Sequence, residues 1–271
     1  MARDSIESMR PGSPEYFAAA AAIGAVVGFA SGLFGKGGSA VTTPALRVFL
    51  DVPRFAALAS PLPATIPTTI SASLAYRGHG LIDRRAFVVT CAVGLPATIL
   101  GSLASPFVGG HSLMLMTAVL VMGLGLSVLV REQEPARPDR PRGRVRLATI
   151  GLGVGFLAGL LANTGGVLYA PLFIQWVRME TKRALATSLA VSAVLGVPGA
   201  IVHAALGHVD WALVIALSVG SIPSSYLGAR LAIRTRSATL LRIYGVTLTA
   251  LGAYDLLVAE REGLLRLFGL R

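Results

Sequence analysis

Two glycine-rich segments carry the residues of this chain that are best suited to chemistry. Residues 28–38 read GFASGLFGKGG and residues 155–166 read GFLAGLLANTGG, and both lie in apolar surroundings. Successive glycines interrupt a helix and free backbone amide and carbonyl groups, which are tolerated at membrane depth only inside protein or beside a wet cavity. A half-helix that starts after each break points its free N–H groups and positive dipole end toward that cavity. The pattern therefore predicts a binding site for a small anion.

Lys36 adds a full positive charge to the first glycine-rich segment. The chain has only two lysines, and the other, Lys182, lies in a basic loop. Ionisable groups within a membrane are costly and are usually functional, so we interpret Lys36 as an anion ligand. A lysine at a shallow break that extends its ammonium group to the surface is the alternative. The aligned residue in the second segment is the neutral Asn163, so the predicted site is asymmetric.

The remaining candidate ligands are glycines and small polar residues near the breaks. The span after each break is rich in hydroxyl groups, which either bind an oxyanion or replace helix hydrogen bonds that prolines interrupt. We favour binding for Ser60, Thr187 and Ser188, because they align at the same place in the two halves. The predicted substrate-binding residues are Lys36, Gly37, Gly38, Ser39, Thr42, Thr43, Ser60, Asn163, Thr164, Gly165, Gly166, Thr187 and Ser188.

The two segments belong to an internal duplication. An offset of 127 residues, the separation of Gly28 and Gly155, aligns the two halves without a gap. Matches of glycine, proline and aspartate are informative because each marks a backbone event. The identical pairs of these types are Gly28/Gly155, Gly32/Gly159, Gly38/Gly165, Pro44/Pro171, Gly80/Gly207, Asp83/Asp210, Pro96/Pro223 and Gly101/Gly228.

The composition places both halves in a membrane. The chain of 271 residues is 54% hydrophobic and only 14% charged, which is more apolar surface than one soluble core can hide. We predict an all-α, polytopic membrane protein with two inverted repeats, each a glycine-broken helical hairpin followed by three transmembrane helices. The predicted segments are an N-terminal tail at 1–15, repeats at 16–130 and 147–259, a basic cytoplasmic linker at 131–146 and a C-terminal tail at 260–271.

The net charge of +11 indicates membrane orientation rather than nucleic-acid binding. The linker at 131–146 holds six arginines and is cytoplasmic by the positive-inside rule. Counted from there, the basic loops at 77–85, 178–183 and 230–236 are cytoplasmic, and the loops at 106–111 and 207–210 are external. Aligned loops therefore have opposite charge bias, which predicts inverted halves. Arg47 and Arg54 fall on the external side, against the rule.

Several local features can be predicted from turn and cap residues. The half-helix after the first break starts near Ser39, or at Pro44 with Thr43 as its cap. The half-helix after the second break starts near Gly166 or at Pro171. We expect one continuous span over residues 56–76. The residues expected to cap the spans that follow them are Asp83 and Asp210.

These motifs resemble those of a known family. The two glycine-rich segments followed by Pro44 and Pro171, ALATSL at 184–189 and GHVDW at 207–211 are similar to motifs of the sulfite exporter TauE/SafE family of membrane permeases. The resemblance implies transport of small sulfur-containing anions, such as sulfite or organosulfonates, across the cytoplasmic membrane of a prokaryote, with export common and uptake also found. Two features depart from the family pattern. Lys36 replaces an apolar residue, and Ser60, Pro61 and Leu62 replace a threonine-serine-leucine motif.

We therefore expect a multi-pass secondary transporter, an exporter by resemblance, whose inverted halves alternate access to a midplane anion site. A passive anion channel, or a permease for another small organic anion, is the alternative. The sequence has no repeated acid–base or metal constellation, so we expect no enzymatic activity and no cofactor. The expected partners are the anion, the lipid bilayer and a proton as coupling ion, and no nucleic acid. His203 lies near a predicted span end, which favours an interfacial position, and titration in a proton path is the alternative.

Overall fold

The computed structural model describes residues 13–35, 39–108, 110–130 and 143–267, and every regular element in these ranges is an α-helix. The first half contains α1 (Pro14–Phe34), α2 (Ser39–Leu50), α3 (Arg54–Ala59), α4 (Pro61–Arg77), α5 (Arg84–Val108) and α6 (Gly110–Val130). The second half contains α7 (Arg144–Leu160), α8 (Gly166–Gln175), α9 (Thr181–Ala205), α10 (Trp211–Arg234) and α11 (Ser237–Leu267). The all-α prediction is confirmed.

The helices of the two halves correspond at the sequence offset of the duplication. Helices α1, α2, α5 and α6 match α7, α8, α10 and α11, and the pair α3 and α4 matches the single helix α9. Left-handed backbone conformations repeat as well, and the matched residues with positive φ are Gly35 and Ala162, Asp51 and Arg178, and Gly80 and Gly207. A residue with a Cβ is strained in this region, so the fold around Ala162 and Arg178 must impose the conformation.

Equivalent helices cross in antiparallel directions where they meet. Along α6 and α11, Gly125 lies beside Thr249 and Met122 lies beside Gly252. Along α4 and α9, Leu62 lies beside Gly199 and Ile66 lies beside Gly196. The first helix of each half instead packs in parallel on the matched helix of the other half, α1 on α10 and α7 on α5. These directions are those expected of two repeats related by an axis in the membrane plane.

Glycines allow the two parallel helix pairs to approach closely. The glycines that lie against the partner helix are Gly24, Gly28 and Gly32 of α1 and Gly151, Gly155 and Gly159 of α7. A Cβ at Gly28 would lie only 2.5 Å from the Cα of Ser221, and a Cβ at Gly155 would lie 2.8 Å from the carbonyl oxygen of Gly94. Small residues at a four-residue spacing are typical of helix contacts in lipid, where close packing replaces the hydrophobic effect.

Four of the described helices, α1, α5, α9 and α10, are long and apolar enough to cross a bilayer. Shorter apolar stretches occur at Leu115–Val130 and in α8. Apolar side chains also cover the outside of the long helices, where Val26 and Val219 are 72% and 66% exposed. Such a surface is suited to contact with lipid, because the exposed apolar side chains pack against lipid tails instead of water.

The prediction of one continuous span over residues 56–76 is wrong. Ser60 separates α3 from α4, and Pro61 occupies the first turn of α4. Proline has no N–H group and its ring clashes with the preceding turn, so the helix restarts there. In the second half the matched residue is Ser188, which keeps its N–H group, and α9 continues through it.

Candidate functional site

The two glycine-rich segments meet at Ser188, in the first half of α9. The Ser188 hydroxyl lies 2.8 Å from the carbonyl oxygen of Gly35, the residue that caps α1. It also lies 3.1 Å from the carbonyl oxygen of Gly166, the first residue of α8. One hydroxyl proton serves both carbonyl groups, and Ser188 is fully buried. A single side chain thus links the irregular backbone of one half to that of the other.

Ring side chains cap a carbonyl group near the end of each broken helix. The Tyr76 hydroxyl donates a hydrogen bond to the carbonyl of Gly32 over 3.2 Å. In the second half His203 Nε2 donates to the carbonyl of Gly159, also over 3.2 Å. The two pairs occupy matched positions of the duplication. The carbonyl of Gly159 also accepts the N–H of Ala162 over 3.3 Å, so His203 adds a second hydrogen bond there.

His203 also connects the end of α9 to α3 through His208. The two Nδ1 atoms are 3.4 Å apart, and the His208 ring stacks on Phe55 with 4.6 Å between centroids. Because Nε2 of His203 donates to a carbonyl, Nδ1 of the neutral ring is an acceptor. The Nδ1–H group of His208 is therefore the donor between the two rings. Partial burial lowers the pKa of His208.

The second break is a tight turn that leaves one hydroxyl unpaired. The N–H group of Asn163 donates to the carbonyl of Ala158 over 2.7 Å. Gly165 has φ of 73°, precedes α8 and donates its N–H to Asn163 Oδ1 over 3.3 Å. Between them Thr164 is fully buried, and its hydroxyl has no partner within the described structure. Buried hydroxyls are normally paired, so this one marks a position for a ligand or water.

The matched hydroxyls of Ser60 and Thr187 each hold a loop of the other half. Ser60 Oγ accepts a hydrogen bond from the N–H of Asp210, and Thr187 Oγ1 accepts one from the N–H of Asp83, both over 2.9 Å. The two aspartates cap the helices that follow, as predicted: Asp83 Oδ1 accepts from Ala86 N–H, and Asp210 Oδ1 accepts from the N–H groups of Ala212 and Leu213.

A small, partly open cavity lies between α1, α2, α4 and α10. Its polar wall consists of hydroxyl groups, and none of the described residues that line it is charged. Thr65 and Thr68 donate to carbonyls one turn earlier in α4, and the hydroxyls of Thr68 and Ser221 are 2.6 Å apart. The polar wall of this cavity is therefore already paired within the protein.

Several predicted site residues lie in or beside the half-helices. Lys36, Gly37 and Gly38 lie outside the described residues. Ser39 begins α2 and Gly166 begins α8, the earlier of the two starts predicted for each. Buried Thr42 and Thr43 therefore lie inside α2, and Thr43 is not its N-cap. Thr42 lines the cavity.

The structure brings only some of the predicted residues together. Ser188 contacts Gly166, and the second break with Asn163, Thr164 and Gly165 immediately precedes that contact. Ser60 lies elsewhere. The next turn of α4 after Ser60 lies beside Gly199, eleven residues beyond Ser188 in α9, or roughly 16 Å at 1.5 Å per residue. Alignment in sequence placed Ser60 and Ser188 together, but the antiparallel crossing separates them.

The sequence analysis missed the contribution of α10 to the cavity. Ser221 lies far from Thr68 in sequence, and only the packing of α1 on α10 joins them. Glycines at four-residue spacing in α1 were the available signal, because they indicate a close helix contact, but they do not identify the partner.

Comparison with known proteins identifies the family of this chain. The sequence profile of the family described as sulfite exporter TauE/SafE matches residues 20–254. The chain belongs to the sulfite exporter TauE/SafE family. It is 24% identical over 255 residues to "Probable membrane transporter protein YunE" of Bacillus subtilis (strain 168), covering 85% of this chain and 93% of that protein. It is 27% identical over 238 residues to a "Probable membrane transporter protein" of Xylella fastidiosa (strain 9a5c), covering 85% and 91%.

Membership confirms the resemblance that the glycine-rich motifs indicate. TauE/SafE proteins are membrane transporters, and this chain has several described helices able to span a membrane. It is therefore a multi-pass membrane transporter with a small-molecule substrate and a lipid environment.

Proposed function

We propose that this TauE/SafE protein is a secondary transporter that exports small sulfur-containing anions, such as sulfite or organosulfonates, across the bacterial cytoplasmic membrane. The observation that carries the proposal is the meeting of both helix breaks at Ser188. In transporters, broken helices from two repeats form the substrate site near the middle of the bilayer, where half-helix ends point at the substrate. The family description names sulfite, and the half-helix geometry favours a small anion.

The proposed topology is two inverted repeats, each entering the membrane as a hairpin. Leu46 and Leu50, near the end of the first hairpin, pack in one cluster with Leu213 near the start of α10. Helix α1 starts on that same side, because it packs in parallel on α10. In the second half Arg146 Nη1 donates to the carbonyl of Trp176 over 3.3 Å, which joins the start of α7 to the end of α8. Each hairpin therefore begins and ends on one side. With the basic linker in the cytoplasm, the first hairpin is external and the second is cytoplasmic.

The proposed ligands of the anion lie around the meeting point. Thr164 offers a buried hydroxyl without a partner, and the first turn of α8 supplies backbone N–H groups and a positive dipole end. Lys36 follows Gly35 directly in the chain and adds a positive charge. The complete proposed set is Lys36, Gly37, Gly38, Ser39, Thr42, Thr43, Asn163, Thr164, Gly165, Gly166 and Ser188, with Ser60 and Thr187 holding the loops of the opposite half.

Alternating access follows from having one hairpin on each side. Ser188 shares its proton between a carbonyl of the first hairpin and a carbonyl of the second, so separation of the hairpins exchanges these hydrogen bonds for others. A small rearrangement at this point exposes the site to one side or the other.

Counterflow of radiolabelled sulfite in proteoliposomes tests the proposal. Vesicles loaded with unlabelled sulfite should accumulate external labelled sulfite transiently, with saturable kinetics, whereas vesicles loaded with acetate should not. Empty liposomes provide the background. Linear flux without counterflow would indicate a passive anion channel. Counterflow with acetate but with neither sulfite nor methanesulfonate would overturn the sulfur-anion proposal.

A further inference from the structure

The residues that line the cavity of the first half have counterparts in the second half, at the offset of the duplication. The lining residues on the first helix of each half are of the same types. Gly24, Val27 and Gly28 of α1 correspond to Gly151, Val154 and Gly155 of α7. The packing of the first helix of each half on a helix of the other half is also repeated, because α7 packs on α5 as α1 packs on α10. The position of Thr42, however, is taken by Tyr169.

The Tyr169 ring fills the counterpart position. Tyr169 is fully buried in the first turn of α8 and stacks on Phe173 with 5.8 Å between ring centroids. Its ring also lies close to Gly165 and to the wall residue Val154, since a Cβ at Gly165 would lie 2.7 Å from Tyr169 Cε2 and 3.1 Å from Val154 Cγ1. A tyrosine ring occupies much more volume than the threonine of the first half, so the counterpart space is filled in the structure.

Three hydroxyl groups at positions matched to the first cavity have no hydrogen-bond partner within the described structure. They belong to Thr90, Tyr169 and Ser192, which are all fully buried. Thr90 corresponds to Leu217 and Ser192 to Thr65, both of which line the first cavity. The first cavity differs in this respect, because Thr65 and Thr68 are paired with carbonyl groups. Buried hydroxyls are normally paired, so three unpaired ones at positions matched to one cavity are candidate ligand donors.

We propose that Thr90, Ser192 and Tyr169 form a second oxyanion subsite in the second half, and that the Tyr169 ring closes this subsite until the substrate arrives. This inference rests on the proposed function. Three neutral O–H donors match an oxyanion with several acceptor oxygens and supply no compensating charge, so binding there is weaker than at a cationic site and permits release. In the proposed orientation the subsite lies in the cytoplasmic half, because α8 belongs to the cytoplasmic hairpin.

Movement of the second hairpin is the step that opens the subsite. Tyr169 is one turn from Gly165, whose left-handed conformation ends the break, and the Tyr169 N–H donates to the Gly165 carbonyl over 2.9 Å. A change at the break therefore moves the ring together with the start of α8. The ring then leaves the space that it fills, and its phenol hydroxyl donates a hydrogen bond to the anion.

Sulfite flux in proteoliposomes tests the subsite. Tyr169→Phe removes only the phenol oxygen, and Ser192→Ala removes only one hydroxyl, so both variants keep the shape of the core. Each should raise the KM for sulfite about ten-fold, the loss expected for one hydrogen bond to a charged group. The matched controls are Thr149→Val and Ser218→Ala, whose hydroxyls donate to carbonyls of their own helices, and these should keep the KM of the unmodified protein. An unchanged KM in both Tyr169→Phe and Ser192→Ala would overturn the proposal and leave ordered water as the occupant.

A thiol assay separates failure of the subsite from failure of the proposed function. Cys91 is the only cysteine of the chain and is buried in the same cluster as Tyr169. In purified protein Tyr169→Ala should speed the reaction of Cys91 with N-ethylmaleimide at least ten-fold, whereas Tyr169→Phe should leave it slow. This readout needs no transport. Equally slow labelling in folded Tyr169→Ala would show that the ring closes no accessible cavity and would overturn the proposal, even if sulfite is transported.

Discussion

Ser60 of the first half accepts a hydrogen bond from the backbone N–H of Asp210 in the second half, over 2.9 Å. The matched residues Thr187 and Asp83 repeat this contact with the halves exchanged, at the same distance. Each half thus fixes the N-cap of a membrane helix in the other. The duplication is therefore preserved in contacts between the halves as well as in sequence.

These contacts predict a stability effect for Thr187→Val. The substitution keeps the shape of the side chain but leaves the Asp83 N–H without its buried acceptor, which costs about 1–3 kcal/mol of unfolding free energy. Ser60→Ala should destabilise less, because its contact with Asp210 is only partly buried. Thermal unfolding in detergent measures both changes. Unaltered stability in Thr187→Val would show that the contact does not join the halves.

Ser188→Ala should impair transport more than a comparable serine substitution. The change leaves the carbonyls of Gly35 and Gly166 without their shared donor, so we expect a loss of about 1–3 kcal/mol in stability and a several-fold lower Vmax for sulfite. Ser218→Ala is the control, because that hydroxyl donates only to Val214 in its own helix. Equal Vmax values in the two variants would contradict a functional meeting point at Ser188.

Gly165→Val should abolish transport. Gly165 has φ of 73°, which disfavours a branched side chain, and its Cβ would press on the Tyr169 ring 2.7 Å away. Gly153→Val is a matched control in α7, since a Cβ there meets no atom within 4 Å. We expect less than a tenth of the normal sulfite flux for Gly165→Val and near-normal flux for Gly153→Val. Similar flux in both would mean that the break needs no glycine.

Lys36→Met should weaken anion binding. If the Lys36 ammonium contacts the anion, its removal costs roughly 1.5–3 kcal/mol, or about ten-fold to a hundred-fold in Kd for sulfite. Lys36→Arg should recover only part of the affinity, because a planar guanidinium occupies a different position. Lys182→Met is the control, since Lys182 Nζ donates to the carbonyl of Ile233 over 2.7 Å. Isothermal calorimetry measures all three. An unchanged Kd in Lys36→Met would remove this residue from the site.

The sequence was sufficient for the repeated elements but not for the contacts between them. Glycine, proline and aspartate mark local backbone events, so the sequence predicted a break within each of the segments 28–38 and 155–166, where Gly35 and Ala162 have positive φ, and the caps at Asp83 and Asp210. The position of Ser60 could not be predicted in this way. It depends on α4 and α9 crossing in opposite directions, and that crossing is a property of the assembled halves. The unpaired hydroxyls near Tyr169 depend on the same assembly.

Sided labelling of matched residues tests the central claim, that two inverted halves enclose one site. Gly78 and Ala205 correspond at the offset of the duplication, are exposed and lie at the ends of the equivalent helices α4 and α9. In a Cys91→Ser background, Gly78→Cys should react with a membrane-impermeant maleimide only after the membrane is opened, whereas Ala205→Cys should react in intact cells. Each variant must retain sulfite counterflow for the result to count. Labelling of both cysteines from the same side would contradict inverted halves and, with them, the proposed mechanism.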